Sequence, residues 1–166
     1  MLNHFYELVT DIILNRGGTV LKFVGDEVFA VFGAPLPVDH HPQVATDCAI
    51  EIQQRGPELD AALSDLGIPP VQFGIGVNSG EVVAAHVGGG RRRQYDIVGD
   101  TVNLASRLCG QAGRGEIVLT EVMLALLDDP PATEAMGAVQ LKGLDDPVPL
   151  VKIVVASTVA ATAPGA

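Results

Sequence analysis

The chain is short of positive charge. Among its 166 residues only 10 are Lys or Arg, against 20 Asp or Glu, a formal net charge of -10. Non-specific DNA or RNA binding needs cations to neutralise phosphates, so nucleic acid is excluded as a partner, while a nucleotide held by a few local cations or by metal is not. Cysteine is scarce too: Cys48 and Cys109 stand far apart in no metal-ligand spacing, the pattern of a reduced, cytoplasmic protein. No apolar run reaches the roughly 20 residues of a membrane span; the most apolar stretch, residues 153–165, is shorter and carries Ser, Thr and Pro. The opening MLNHFYELV has no basic region and no small-residue cleavage site, so no secretory signal is expected. There is no GxSxG, no GxxxxGK[ST] and no HExxH, and Gly74-Ile75-Gly76 lacks the third glycine of a dinucleotide fingerprint.

What remains is a chain that folds. With 48% hydrophobic and 18% charged residues it is not intrinsically disordered, and its length suits one domain. Leu2, Phe5, Leu8, Val9, Ile12 and Ile13 recur at helical spacing, which predicts a helix over 2–16 ended by Gly17-Gly18. Residues 19–24 and 27–32 read as strands joined through Gly25-Asp26 as a hairpin. A loop holding His40 and His41 leads to a helical pattern over 43–66, split or kinked at Gly56-Pro57. Strands are expected at 71–77, 81–87 and 94–98, a helix over 100–109, a strand at 116–119, a helix near 121–127, and late strands at 139–142 and 150–155. Residues 1–155 form the expected domain and 156–166 a loose tail.

Three segments could carry chemistry. Asp26, at the hairpin tip after Lys22-Phe23-Val24-Gly25, is placed to ligate Mg²⁺, which is usually held by one or two carboxylates plus substrate phosphates; Gly-Asp is equally a plain turn and a strand lysine equally a solvated one. In the segment YDIVGDTVNLASR, Asp100 or Thr101 can cap a helix on which Asn103 and Arg107 are neighbours four residues apart, able to bind a sugar and an oxyanion or to form a solvated stripe. Lys142, before Gly143, is a weaker candidate, and the basic loop Arg91-Arg92-Arg93 reads as a solvated turn.

Taken in order, these segments resemble the class III nucleotidyl cyclase catalytic domain. The stretches that carry the resemblance are LNHFYELVTDIILNRGGTVLKFVGDEVFAVFGAP, FGIGVNSGEVVAAHVG, RRRQYDIVGDTVNLASRL and LKGLDDPV, together spanning nearly all of the chain up to Ile153. The resemblance implies an α+β fold: a ferredoxin-like βαββαβ core with extra C-terminal strands. It implies conversion of ATP to 3′,5′-cyclic AMP and pyrophosphate for intracellular signalling, with two Mg²⁺ or Mn²⁺ ions per site, in a head-to-tail homodimer whose active sites lie at the interface. Under it, Asp26 is the second of two metal-binding aspartates, Lys22 and Asp96 read the base, Asn103 orients the ribose, Arg107 stabilises the charge at the α-phosphate and Lys142 contacts the polyphosphate. Lysine can donate to adenine N1 and aspartate accept from the 6-amino group, whereas guanine presents the reverse pattern, so ATP is the expected substrate.

One departure has weight. The family's first metal aspartate lies on a strand upstream of the first helix, and this chain begins within that helix. The first, central strand and half of the metal site are therefore expected to be absent, with Met1 an internal methionine of a longer protein or the start of a fragment. Asp11, inside the helix, cannot substitute. A catalytically impaired module that binds nucleotide or dimerises is the alternative. A diguanylate cyclase-like enzyme is the third reading, set back because Val24 stands where that family's loop has its first glycine.

Overall fold

The computed structural model describes residues 2–65, 67–87 and 94–155. Helix α1 (Leu2–Asn15) buries Phe5, Val9, Ile12 and Ile13 along one stripe, as its periodicity predicts. It ends at Gly17, where φ is 77° and the Gly18 N–H reaches back to the Ile13 carbonyl. Strands β1 (Thr19–Val24) and β2 (Glu27–Val31) follow as an antiparallel ribbon. Its two-residue loop has a left-handed φ of 63° at Gly25 alone, the pattern of a type II′ hairpin, which a β-carbon would disfavour.

Helix α2 (His41–Gln54) and helix α3 (Gly56–Ser64) are separate, with Arg55 between them and Pro57 in the first turn of α3, where its missing N–H costs nothing. His40 and His41, expected in a loop, are the N-cap and first residue of α2, and His40 takes a left-handed φ of 52° to start the helix. Together α1, α2 and α3 close a core around Ile12, Cys48 and Leu63. Each such side chain contributes roughly 1.5–3 kcal/mol through burial.

The largest sheet is four-stranded, in the order β3 (Ile75–Gly76), β6 (Glu116–Thr120), β8 (Val148–Val154), β7 (Glu134–Val139). β3 runs parallel to β6, and the other pairs are antiparallel. Alternate residues of β6 point to opposite faces: Ile117 and Leu119 pack with α2 and with α5 (Glu121–Leu124), while Val118 packs under Leu108 of α4 (Asp100–Cys109). A separate two-stranded ribbon pairs β4 (Val83–Val87) with β5 (Gln94–Val98).

Three expectations are corrected. The strand foreseen over 71–77 has its ladder only at Ile75 and Gly76; the Phe73 carbonyl accepts from the Gly115 N–H and from the Gln53 side chain. The late strand foreseen at 139–142 lies earlier, at Glu134–Val139: the chain turns after it, with the Leu144 N–H donating to the Leu141 carbonyl at 3.2 Å and Gly143 at a φ of 76°. Neither Asp100 nor Thr101 caps α4; Gly99 is the N-cap, and the Thr101 hydroxyl donates to the Glu81 carbonyl at 2.7 Å. The basic loop at 91–93 and the tail at 156–166 lie outside the described residues.

Among the described residues β2 pairs only with β1, and β3 only with β6. Between their free edges runs a cavity of about 540 Å³, lined by residues of β2, of 72–80, of α1, α2 and α4.

Candidate active site

The hairpin and the β4–β5 ribbon meet at one ion pair. Lys22 Nζ donates to both carboxylate oxygens of Asp96, at 2.8 and 3.1 Å, across 74 residues of sequence. Both side chains are partly buried. The Ile97 N–H also donates to Asp96 Oδ1 at 2.9 Å, so the carboxylate is oriented by its own backbone. The hydrogen bond from Lys22 first, and that N–H second, hold the Asp96 carboxyl below the usual aspartate range. This site offers a donor beside an acceptor, the chemistry needed for the edge of a purine.

Asp26 is exposed at the hairpin tip and lines the mouth of the cavity. Tyr6 on α1 packs its ring on Phe23, centroids 4.4 Å apart, and donates its hydroxyl to the Gly25 carbonyl, tying the tip to the helix. A divalent ion bridged by phosphates fits Asp26, since such an ion needs only one or two protein carboxylates. A protein cage does not fit: among the described residues no three His, Cys, Asp or Glu come together to hold a metal.

Helix α4 places Asn103 and Arg107 one turn apart, Asn103 exposed and Arg107 half-buried. A β-carbon at Gly143 would lie 3.3 Å from Arg107 Nη2, so the guanidinium sits against the turn that carries Lys142. Arg16, Lys22, Arg55 and Lys152 all hold acidic partners, whereas Arg107, Arg114 and Lys142 hold no ion pair among the described residues. Arg107 thus lies against Gly143 with no acidic partner among the described residues, and an anion is what it can take.

The start of α4 is fixed by the 78–81 turn. Asn78 Nδ2 donates to the Thr101 carbonyl at 3.1 Å, complementing the Thr101 hydroxyl bond to Glu81. Positioning residues such as Tyr6, Asn78 and Thr101 carry no sequence signal of their own, because each acts through a backbone group distant in the chain.

The structure therefore brings Lys22 to Asp96, and Arg107 to the turn at Gly143 that follows Lys142. It does not bring all six candidates to one pocket. The large cavity touches Asp26 but none of Lys22, Asp96, Asn103, Arg107 or Lys142.

The profile of the adenylate and guanylate cyclase catalytic domain matches residues 1–153. Adenylate cyclase 1 of Rhizobium meliloti (strain 1021) is 31% identical over 156 residues, which are 93% of this chain and 24% of that protein; the chain thus spans about a quarter of that relative. Among solved structures, the guanylyl cyclase Cya2 superposes with a TM-score of 0.84 at 33% identity, over 91% of this chain and 77% of that one. The adenylyl cyclase CyaB from P. aeruginosa superposes with a TM-score of 0.85 at 30% identity, over 92% and 80%. No helix among the described residues is long and apolar enough to cross a membrane. With the match over residues 1–153 and the fold in agreement, this chain belongs to the adenylate and guanylate cyclase catalytic domain family.

Proposed function

We propose that this domain converts ATP to 3′,5′-cyclic AMP and pyrophosphate, in the cytoplasm, as a signalling enzyme. The observation that carries the reading is the Lys22–Asp96 pair: one donor and one acceptor, 2.8 Å apart, match adenine N1 and the 6-amino group and mismatch guanine. The relatives include an adenylyl and a guanylyl cyclase, so the preference rests on these two residues.

In this reading Asn103 holds the ribose so that its 3′-OH faces the α-phosphate. Arg107, half-buried and unpaired among the described residues, meets the charge that builds on the phosphoryl oxygens. Lys142, one residue before the Gly143 that Arg107 lies against, meets the polyphosphate. Mg²⁺ or Mn²⁺, held by Asp26 together with the triphosphate, would supply charge neutralisation and acidify the attacking hydroxyl.

Asp26 lines the large cavity whereas Lys22 and Asp96 do not, which supports a head-to-tail homodimer in which Asp26 of one subunit completes the base, ribose and arginine groups of the other. The surface beside them is apolar: Phe23, Val24, Val83 and Val98 are each about half exposed or more, and Val83 and Val98 are cross-strand partners.

The test is cyclic AMP formation by the whole protein with Mg²⁺ or Mn²⁺. Asp26→Ala and Arg107→Ala should each suppress it, by about a hundredfold for the arginine. Full activity of Arg107→Ala would refute the assignment. Lys22→Glu with Asp96→Cys should shift preference towards GTP, and unchanged ATP preference would refute base reading.

A second reading is favoured because no three His, Cys, Asp or Glu come together to hold a metal among the described residues: a module that binds nucleotide or dimerises without turnover. ATP binding with no cyclic AMP produced, under either metal, would select it.

A further inference from the structure

A lysine that reads a base must first be held still. Its four-carbon stem is flexible and its ammonium strongly hydrated, so an unsupported Lys22 would sample many positions besides the useful one. Asp96 holds it from one side. From another, Lys22 Nζ lies 5.7 Å from the centroid of the Phe29 ring, within range of a cation–π contact.

This placement depends on an irregularity in the hairpin. The ladder runs Thr19 opposite Val31 and Val20 opposite Ala30, then skips a residue, so that Lys22 stands opposite Phe29, Phe23 opposite Val28 and Val24 opposite Glu27. Had the ladder continued unbroken, Leu21 would face Phe29. A bulge inserts one residue and turns the following side chains to the other face of the ribbon. Here it makes Phe29 and Lys22 direct cross-strand neighbours, the closest relationship between side chains on a sheet.

The two supports differ in kind. Asp96 uses the donors of the ammonium, and a base has to compete for them. The ring uses none: it attracts the charge as a whole and leaves every N–H free to turn towards a purine acceptor. The contact is therefore compatible with both the paired and the nucleotide-engaged lysine.

We propose that Phe29 is a positioning residue for purine selection, holding the Lys22 ammonium over its ring face so that the lysine meets adenine N1 in register. This rests on the reading of Lys22 and Asp96 as the base-reading pair, and the test separates the two.

The experiment is calorimetric binding of ATP and GTP to the whole protein, with the ratio of their dissociation constants as readout, and thermal unfolding recorded alongside. Phe29→Leu should lower the preference for ATP roughly three- to tenfold, and Phe29→Tyr should restore it. A series of progressively fluorinated phenylalanines at position 29 keeps the shape of the ring while draining charge from its face, so it tests the contact where the leucine variant fails to fold. The ATP preference should fall stepwise along the series with little change in melting temperature. Lys22→Met is the control on the underlying reading. If Lys22→Met abolishes the preference while the fluorinated series leaves it flat, Phe29 has no part in selection and the proposal is wrong. If Lys22→Met itself leaves the preference intact, base reading by Lys22 fails, and the role of Phe29 with it.

Discussion

Gly76 lies so close to α4 that a β-carbon there would collide with the backbone nitrogen of Cys109 and sit 2.5 Å from the carbonyl oxygen of Ala105. Both neighbours are main-chain atoms and cannot swing aside. The strand that pairs with β6 and the helix that carries Asn103 and Arg107 are therefore in direct backbone contact. Gly76→Ala is expected to push α4 outward and cost roughly 2–3 kcal/mol, as overpacking does. Thermal unfolding should register the loss, and nucleotide affinity should fall with it because Arg107 moves with its helix. A variant as stable as the parent would show that the contact is looser than described.

The Lys22–Asp96 pair has a pH signature. With its carboxyl held low by Lys22, Asp96 stays ionised through neutral pH. A carboxyl whose folded-state pKa is depressed contributes stability above its unfolded value, near 3.9, and that contribution is lost as pH falls through the folded value. Carbon-13 titration of the Asp96 carboxyl should therefore show a midpoint below the ordinary range. Lys22→Met should move it upward and bring acid unfolding to higher pH. An Asp96 midpoint that ignores the substitution would mean that the pair does not form in solution.

Tyr6→Phe isolates the tie between α1 and the hairpin tip. It removes the hydroxyl that donates to the Gly25 carbonyl and keeps the ring against Phe23. The expected cost is about 1 kcal/mol, that of one hydrogen bond. Because the tip carries Asp26, the Mg²⁺-dependent part of ATP affinity should weaken while the preference for ATP over GTP stays unchanged. A change in preference instead would place the effect at Lys22 rather than at Asp26.

Burial pushes the Cys48 thiol up to about 12, and burial also raises Cys109. The thiolate is the reactive form, so neither residue should react appreciably at neutral pH while the chain is folded. Timed alkylation with iodoacetamide, followed by mass spectrometry, should label Cys48 only as fast as the core of α1, α2 and α3 opens. Labelling at the rate of a free thiol would contradict its burial.

Local signals served well where a short segment decides its own structure. The β1–β2 hairpin follows from Gly25-Asp26 between Val- and Phe-rich strands, and α4 begins and ends at the residues its periodicity predicts. They served badly where tertiary contacts decide. β7 holds Glu134-Ala135-Met136-Gly137, poor strand formers that pair because β8 offers a ladder, with a register shift between Ala135 and Gly137. Asp100 and Thr101 read as caps of α4 in the sequence, but the Thr101 hydroxyl donates to the Glu81 carbonyl, 20 residues away. For the site, Lys22 and Asp96 are 74 residues apart, and no spacing rule links them; family resemblance named both, and the fold brings them to hydrogen-bond distance. Phe29 had no such signal, since a phenylalanine in a strand reads as packing and its meeting with Lys22 depends on a bulge.

The β1–β2 ribbon contains no fully buried residue, whereas residues 117–120 of β6 are buried without a break. Local opening costs least where buried contacts are few. Backbone amides of the ribbon should therefore exchange with deuterated solvent well before those of β6 and β8. Lys22 and Asp26 ride on that early-opening element, while Arg107 sits on a helix packed over the sheet. A nucleotide, or a second copy of the domain, that engages the ribbon has to slow its exchange to bind. Protection of the residue 20–30 amides is thus the first place where occupancy of this site would register, ahead of any product.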